Sequence, residues 1–399
     1  MKTIECPVCT GKDYSVFFRW KNAIVRQQFL MKTRTQAQRM KRGDIRLALC
    51  RNCGMIWNVA FDPQLLEYSS PYEASQIPSP AFRRYLSNVA RRLVGEYNLR
   101  RKRVIEIGSG DGEFLKLLCE LGKNRGTGFE PSWRAGQRIG SHGRVRIVPD
   151  YYSHSHADVP ADIICCRHVL EHIHDPPSFL CGLARSNKAR DPVYFFEVPD
   201  FSWSLMESAF WDIYYEHCMY FCSTSLRFLF SASGFHILQM RNGFYGQYLL
   251  LEAVYALSRK RSASHSFSKA SGEVKALSGI TRAFSKRYRQ FVRQTRQELN
   301  RVSGEQRVVI WGAGAKAVTF LNILEVQPDE IESVVDLNPR KWSSYIPGTG
   351  QRIVPPGSLR VTRPEVILVM NPAYAPEIKK TLKEMGITAR LWILGGRRR

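Results

Sequence analysis

The sequence predicts an α/β protein with two separate, largely parallel sheets behind a cysteine-rich N-terminal module, and three observations lead there. Short β-rich runs alternate with helical ones between residues 102 and 199 and again between 307 and 371, as strand–helix–strand units do. Two C-x-x-C pairs fall within the first 53 residues. The 399 residues exceed what one core organises, while a hydrophobic content of 44% is ample for two or three.

The module comes first. Cys6 and Cys9 form a CPVC knuckle, and Cys50 and Cys53 form a second in CRNCG. Each turn offers two sulfurs to one tetrahedral cation, so the spacing predicts a zinc site. Four thiolates leave no open position for water, which makes the expected role structural. The remaining cysteines, out of ten, are too sparse for a disulfide scaffold. No apolar run long enough to cross a membrane occurs, and the N-terminus MKTIECPVC lacks a signal-peptide layout, so a cytoplasmic protein is expected. The formal charge of +24, from 59 Lys+Arg against 35 Asp+Glu, attracts polyanions: nucleic acid, phosphorylated metabolites or anionic membranes.

The first α/β unit starts with KRVIEIG and the helical EFLKLLCELG, then GTGFE, VRIVPD, ADIICC, a helix from Arg167, and PVYFFEVP. Within it VIEIGSGDGEFL joins a strand to a helix through Gly108, Gly110 and Gly112. Glycines there let the backbone approach a ligand, and the helix N-terminus favours a carboxylate or phosphate. This G-x-G-x-G spacing, preceded by Glu106, differs from the dinucleotide pattern and resembles the first motif of class I S-adenosylmethionine-dependent methyltransferases. The resemblance implies that Glu130, at the next strand end, accepts the ribose hydroxyls and that Asp150 and Tyr151 flank the adenine. RHVLEHIHDP has the spacing of an inverted zinc-protease motif, but it follows the fourth strand of this sheet. In many such methyltransferases HVLEH shapes the cofactor pocket, so His168 is expected beside the cofactor.

SRKRSASHSFSKASGE then reads as a flexible joint, and Leu277, Ile280, Phe284, Tyr288, Phe291 and Val292 carry helical spacing in the basic stretch that follows. The second α/β unit opens on RVVIWGAG and AKAVTFLNIL and continues with SVVDLN and PEVILVMN. Gly312, Gly314 and Ala317 begin like a dinucleotide fingerprint, and Asp336 ends the next strand as a ribose-binding acid would. Lys316 at the helix start is placed to meet a diphosphate.

Taken whole, the chain resembles the three-domain C-methyltransferases of nucleotide-linked deoxysugars. The resemblance rests on the paired CxxC sites, YEASQIPSPAF, IEIGSGDGEFL, YYEHCMYF, and WGAGAKAVTFLNIL followed by VVDLNPRK and VMNPAY. It implies a class I methyltransferase Rossmann-like core, an N-terminal zinc-binding domain and a second, C-terminal Rossmann-like α/β domain. The expected boundaries are 1–70 for the zinc-binding domain, 71–257 for the methyltransferase, 258–302 for a basic linker and helix, and 303–399 for a substrate-binding domain. The C-terminal glycine loop is then a degenerate nucleotide fold in which Gly312, Gly314 and Lys316 help to hold substrate, because C-methylation needs no hydride donor.

The family's catalytic segment, Tyr, any residue, Glu, His and an aromatic pair, maps onto Tyr214, Glu216, His217 and Tyr220–Phe221. Elementary chemistry agrees. Carbon becomes a nucleophile only once a proton alpha to a carbonyl is lost, and a neutral imidazole is the natural base for that near pH 7. His217 is the candidate base and Glu216 its orienting partner. Tyr214, Tyr215 and Tyr72 are alternative donors to the enolate oxygen. The expected partner is an anionic small molecule, a nucleotide-sugar, rather than a membrane or nucleic acid: no platform of interleaved basic and aromatic residues is evident. The oligomeric state is left open, a monomer being compatible.

Overall fold

The computed structural model describes residues 4–66, 73, 75–133, 143–186, 191–255 and 267–395. Tyr72, one of the three tyrosines considered for catalysis, lies outside them. The N-terminal module is a four-stranded antiparallel sheet. Its strands β1 (Tyr14–Ile24), β2 (Arg42–Cys50) and β3 (Ile56–Asn58) are local, but the fourth, β9 (Met219–Tyr220), arrives from the far side of the first α/β unit.

That unit contains β4 (Arg103–Ile107), β5 (Arg125–Phe129), β6 (Val145–Val148), β7 (Ile163–Arg167), β8 (Val193–Pro199), β10 (Phe235–Gly243) and β11 (Tyr248–Tyr255). Its sheet order is β10-β11-β8-β7-β4-β5-β6, with every strand running the same way except β11, which is antiparallel to both its neighbours. The second unit has β12 (Val308–Trp311), β13 (Ser333–Val335), β14 (Arg352–Val354), β15 (Val366–Val369) and β16 (Arg390–Ile393), all parallel, in the order β14-β13-β12-β15-β16. Parallel strands are covered on both faces, which is why VVIW and VILV are uninterrupted apolar runs and fully buried. In each sheet the order reverses beside the strand that precedes a glycine loop, β4 and β12. Ligands of such sheets bind at that crevice.

A 39-residue helix, Phe267–Glu305, links the units. It begins inside the stretch whose serines suggest a flexible joint, because that stretch already has partners: Glu273 accepts the Thr224 hydroxyl at 2.8 Å, and the next residue, Val274, is buried. Residues 256–266 of the expected joint fall outside the described ones. Phe18 and Ile24 of β1, Phe210, Trp211, Phe284 of the long helix, and Phe320 of the second unit share one core. Burying each of these large side chains is worth roughly 2–3 kcal/mol, and together they hold the three parts as one body. Gln247 and Asn371 add a reciprocal pair of amide hydrogen bonds at 3.0 Å between the two units. Among the described residues no helix is long and apolar enough to cross a membrane.

Candidate active site

The carboxyl ends of both parallel sheets open into one cavity of about 1460 Å³, lined by Gly108 and Gly110 of the first glycine loop and by Gly312 and Gly314 of the second. Gly108, Gly110 and Gly112 all adopt positive φ. Gly110 has no atom within 4 Å of where a Cβ would sit, so its bare backbone faces the cavity. Gly112 caps the helix Glu113–Gly122 without a side-chain hydrogen bond, leaving the helix N-terminus to a ligand.

The acids of this loop occupy two different states. Glu130 accepts the Gly110 N–H at 2.9 Å and both the N–H and hydroxyl of Ser132. Glu106 is buried with Oε2 unpartnered, and burial, only partly offset by Arg167, pushes its carboxyl up to about 8. A bare carboxyl oxygen on the wall beneath an open glycine loop fits an amino acid's ammonium group, such as adenosylmethionine carries. Tyr151 lines the cavity, whereas Asp150 turns aside, bonding the Tyr151 N–H at 2.7 Å and lying 3.7 Å from His156.

His168 stands 2.8 Å from Glu197 and 3.6 Å from Glu171. Burial disfavours its charge, yet the two carboxylates outweigh burial and raise the imidazole to about 9. Glu197 also takes Arg167 at 2.7 Å and the Tyr85 hydroxyl at 2.6 Å, and is held down at about 2 although it is fully buried. His168 therefore belongs to a buried charge network on the cavity wall. Sequence reasoning misses the roles of Arg167 and Glu197, and places Glu171 and His172, with His168, only as structural or cofactor-proximal parts of HVLEH. The HVLEH spacing was the available signal, since it puts Glu171 beside His168 and His172 beside Glu171.

The segment YYEHCMYF crosses the same wall. It is held by the N-terminal module: Met219 and Tyr220 pair with Trp57 and Ile56, and the Cys218 carbonyl accepts the Asn58 N–H at 3.0 Å. His217 lines the cavity, its ring edge-on to His172 and to Tyr214, each at 4.8 Å between centroids. Burial and the neighbouring His172 lower it to about 3. His172 donates from Nδ1 to the Glu216 carbonyl at 2.9 Å. The Glu216 carboxylate accepts the Gln27 N–H, and burial raises its carboxyl.

The adjacent tyrosines diverge. Tyr214 lines the cavity and donates to Asp212 at 2.9 Å. Tyr215 points the opposite way into the N-terminal module, where its hydroxyl accepts the Asp62 N–H at 2.9 Å and its ring packs on Phe61. The chain bends at Tyr215–Glu216, between Tyr214 and β9. Lys316 reaches the cavity but is already ion-paired with Asp212, so its charge is compensated. Asp336 similarly holds the Ala313 and Asn338 N–H groups.

At the turn between β2 and β3, the sulfurs of Cys6, Cys9, Cys50 and Cys53 all lie within 4.8 Å of one another. Cys6 and Cys53 are 3.6 Å apart, and Cys9 and Cys50 3.5 Å, with no disulfide formed. The hydrogen bond to Cys50 and burial push the Cys6 thiol up to about 12. Four thiols gathered in this way fit a tetrahedral cation.

A seven-stranded sheet of this order with an open glycine loop at its switch point defines a class I, S-adenosylmethionine-dependent methyltransferase. Residues 79–240 match the model of a methyltransferase domain and residues 261–394 that of a C-methyltransferase C-terminal domain. The C-methyltransferase NovU of Streptomyces niveus is 27% identical over 298 residues, covering 70% of this chain and 69% of NovU. Among solved structures, the magnesium protoporphyrin IX methyltransferase of Synechocystis with bound S-adenosylhomocysteine has a TM-score of 0.34 and 17% identity over 44% of this chain and 83% of its own. A 1,6-didemethyltoxoflavin N1-methyltransferase of Burkholderia thailandensis has a TM-score of 0.33 and 16% identity over 50% and 95%. The chain thus carries a methyltransferase domain followed by a C-methyltransferase C-terminal domain, behind a four-cysteine module.

Proposed function

We propose that the protein methylates the carbon alpha to the ketone of a nucleotide-linked deoxysugar, with His217 as the base. The observation that carries this reading is the His217 imidazole on the wall of a cavity that both glycine loops share, where burial and His172 disfavour its charge. Bound adenosylmethionine supplies an electrophilic methyl group. His217 takes the alpha proton, and the carbon–hydrogen electron pair passes into the enolate. The enolate carbon then forms the new carbon–carbon bond as the carbon–sulfur bond breaks. Tyr214 is the tyrosine of the adjacent pair that reaches the cavity, which supports it as the donor to the enolate oxygen. The aromatic wall excludes water and strengthens that hydrogen bond.

His172 and the Glu216 backbone hold the base from behind, through the edge-on ring and the 2.9 Å hydrogen bond. Glu106, Gly108, Gly110, Gly112, Glu130, Tyr151 and His168 form the cofactor end. The bare Gly312 and Gly314, with nothing within 4 Å of a Cβ position, leave space for the nucleotide end. The four-cysteine site holds zinc and keeps β3 and β9 in place, and through them His217.

The test offers a nucleotide-linked 4-keto-deoxysugar, deuterated at the carbon alpha to the ketone, together with adenosylmethionine. The product is expected to carry its methyl on that carbon and to have lost the deuterium. A methyl found on oxygen or nitrogen, with deuterium retained, would refute the reading.

A further inference from the structure

Glu171, His172 and His217 offer one carboxylate oxygen and two imidazole nitrogens, all within 4.8 Å of one another. Ligands at 2.0–2.2 Å from one tetrahedral ion lie about 3.3–3.6 Å from one another. Side-chain closure of at most about 1.5 Å therefore brings all three onto a single cation. Two further features are those of a built metal site. Glu171 is 2% exposed and its Oε2 has no hydrogen-bond partner, although it lines the cavity. His172 donates from Nδ1 to the Glu216 carbonyl, which fixes the tautomer whose Nε2 lone pair is free, as outer-shell partners do for metal-binding histidines.

We infer that Glu171, His172 and His217 form a second cation site, distinct from the four cysteines, which takes a divalent transition ion and thereby silences the base. Two imidazoles and one carboxylate suit ions such as Co²⁺ or Zn²⁺ and not Mg²⁺ or Ca²⁺. All three residues line the cavity, so the vacant coordination positions face substrate. An imidazole whose lone pair is on the metal cannot accept a proton. The inhibitory part rests on His217 being the base; the binding part does not.

The experiment titrates Co²⁺ into the full chain with its four-cysteine site filled by zinc, reading the cobalt d–d bands, and measures methyl transfer in the same samples. Bands without a thiolate charge-transfer component should grow as turnover falls in step. His172→Gln and Glu171→Gln should each weaken Co²⁺ binding by more than about tenfold, with S-adenosylhomocysteine binding confirming that the variants are folded. Absent bands, or affinities unchanged in both variants, overturn the site. Saturating bands with undiminished turnover leave the cation site standing and remove His217 as the base.

Discussion

His168 and His217 stand on one cavity wall, both half-buried, and their surroundings shift their pKa values in opposite directions. His168 lies against Glu171 and Glu197 and is raised to about 9; His217 lies against His172 and Tyr214 and is lowered to about 3. Burial disfavours charge on both. Two carboxylates, Glu197 at 2.8 Å and Glu171 at 3.6 Å, outweigh burial at His168, whereas at His217 burial and His172 outweigh the pull of Glu171. A charged histidine in this network is structural and favours an electron-rich or anionic neighbour. A neutral one is free to take a proton.

The largest way to break the comparison is through the four-cysteine site, proposed above to hold zinc, that supports one side of it. His217 enters the site beside β9, which pairs with β3 of the four-cysteine module, whereas His168 follows β7 of the other sheet. Removing zinc, or Cys53→Ser, should take on the order of 10 kcal/mol from the module. It should abolish methyl transfer while S-adenosylhomocysteine still binds; retained turnover in a metal-free chain would disconnect the module from the site.

Next in size is the charged histidine. Glu197→Gln leaves Arg167 and His168 facing a neutral amide in a buried place, which should cost about 3–5 kcal/mol of stability in chemical unfolding. The pH dependence has a definite sign. The raised His168 contributes stability in full below about 6.5, and that contribution is lost as pH rises towards 9. The lowered Glu197 contributes above its ordinary 4.5, and its share is lost as pH falls towards 2. The raised Glu106 adds a loss of the same sign up to about pH 8, so wild-type stability should decline between pH 6.5 and 9, and His168→Gln should lessen that decline and remove its part between 8 and 9; an unchanged slope between 8 and 9 would assign it to another group.

The smallest expected effects separate the two tyrosines. Tyr214→Phe should lower kcat about tenfold or more with little change in stability. Tyr215→Phe should cost about 1 kcal/mol of stability, for the hydrogen bond to Asp62, with kcat kept. Reversed outcomes would exchange their roles.

Much of this was legible in the sequence because its signals are local. A C-x-x-C turn, the G-x-G-x-G of GSGDG and the apolar runs of parallel strands are each set by a few adjacent residues. What sequence alone left open depends on partners far away. Pairing of Met219 with Trp57 spans more than 160 residues and makes the N-terminal module a support for His217. Lys316 meets Asp212 across the unit boundary, so a lysine expected at a diphosphate is already neutralised. Tyr214 and Tyr215 are chemically identical neighbours; what tells them apart is the partner each meets, Asp212 on the cavity wall for one and Asp62 of the N-terminal module for the other. HVLEH shows its spacing plainly, but not that Glu171 and His172 would sit beside His217.

The most direct test of His217 as the base separates proton removal from methyl transfer. With S-adenosylhomocysteine in place of the methyl donor, a nucleotide-linked 4-keto-deoxysugar in D₂O should exchange its alpha hydrogen on the wild-type protein. On His217→Asn the exchange should slow by about 10²–10⁴-fold, with S-adenosylhomocysteine affinity unchanged. Exchange at the wild-type rate in His217→Asn would contradict the assignment of His217 as the base.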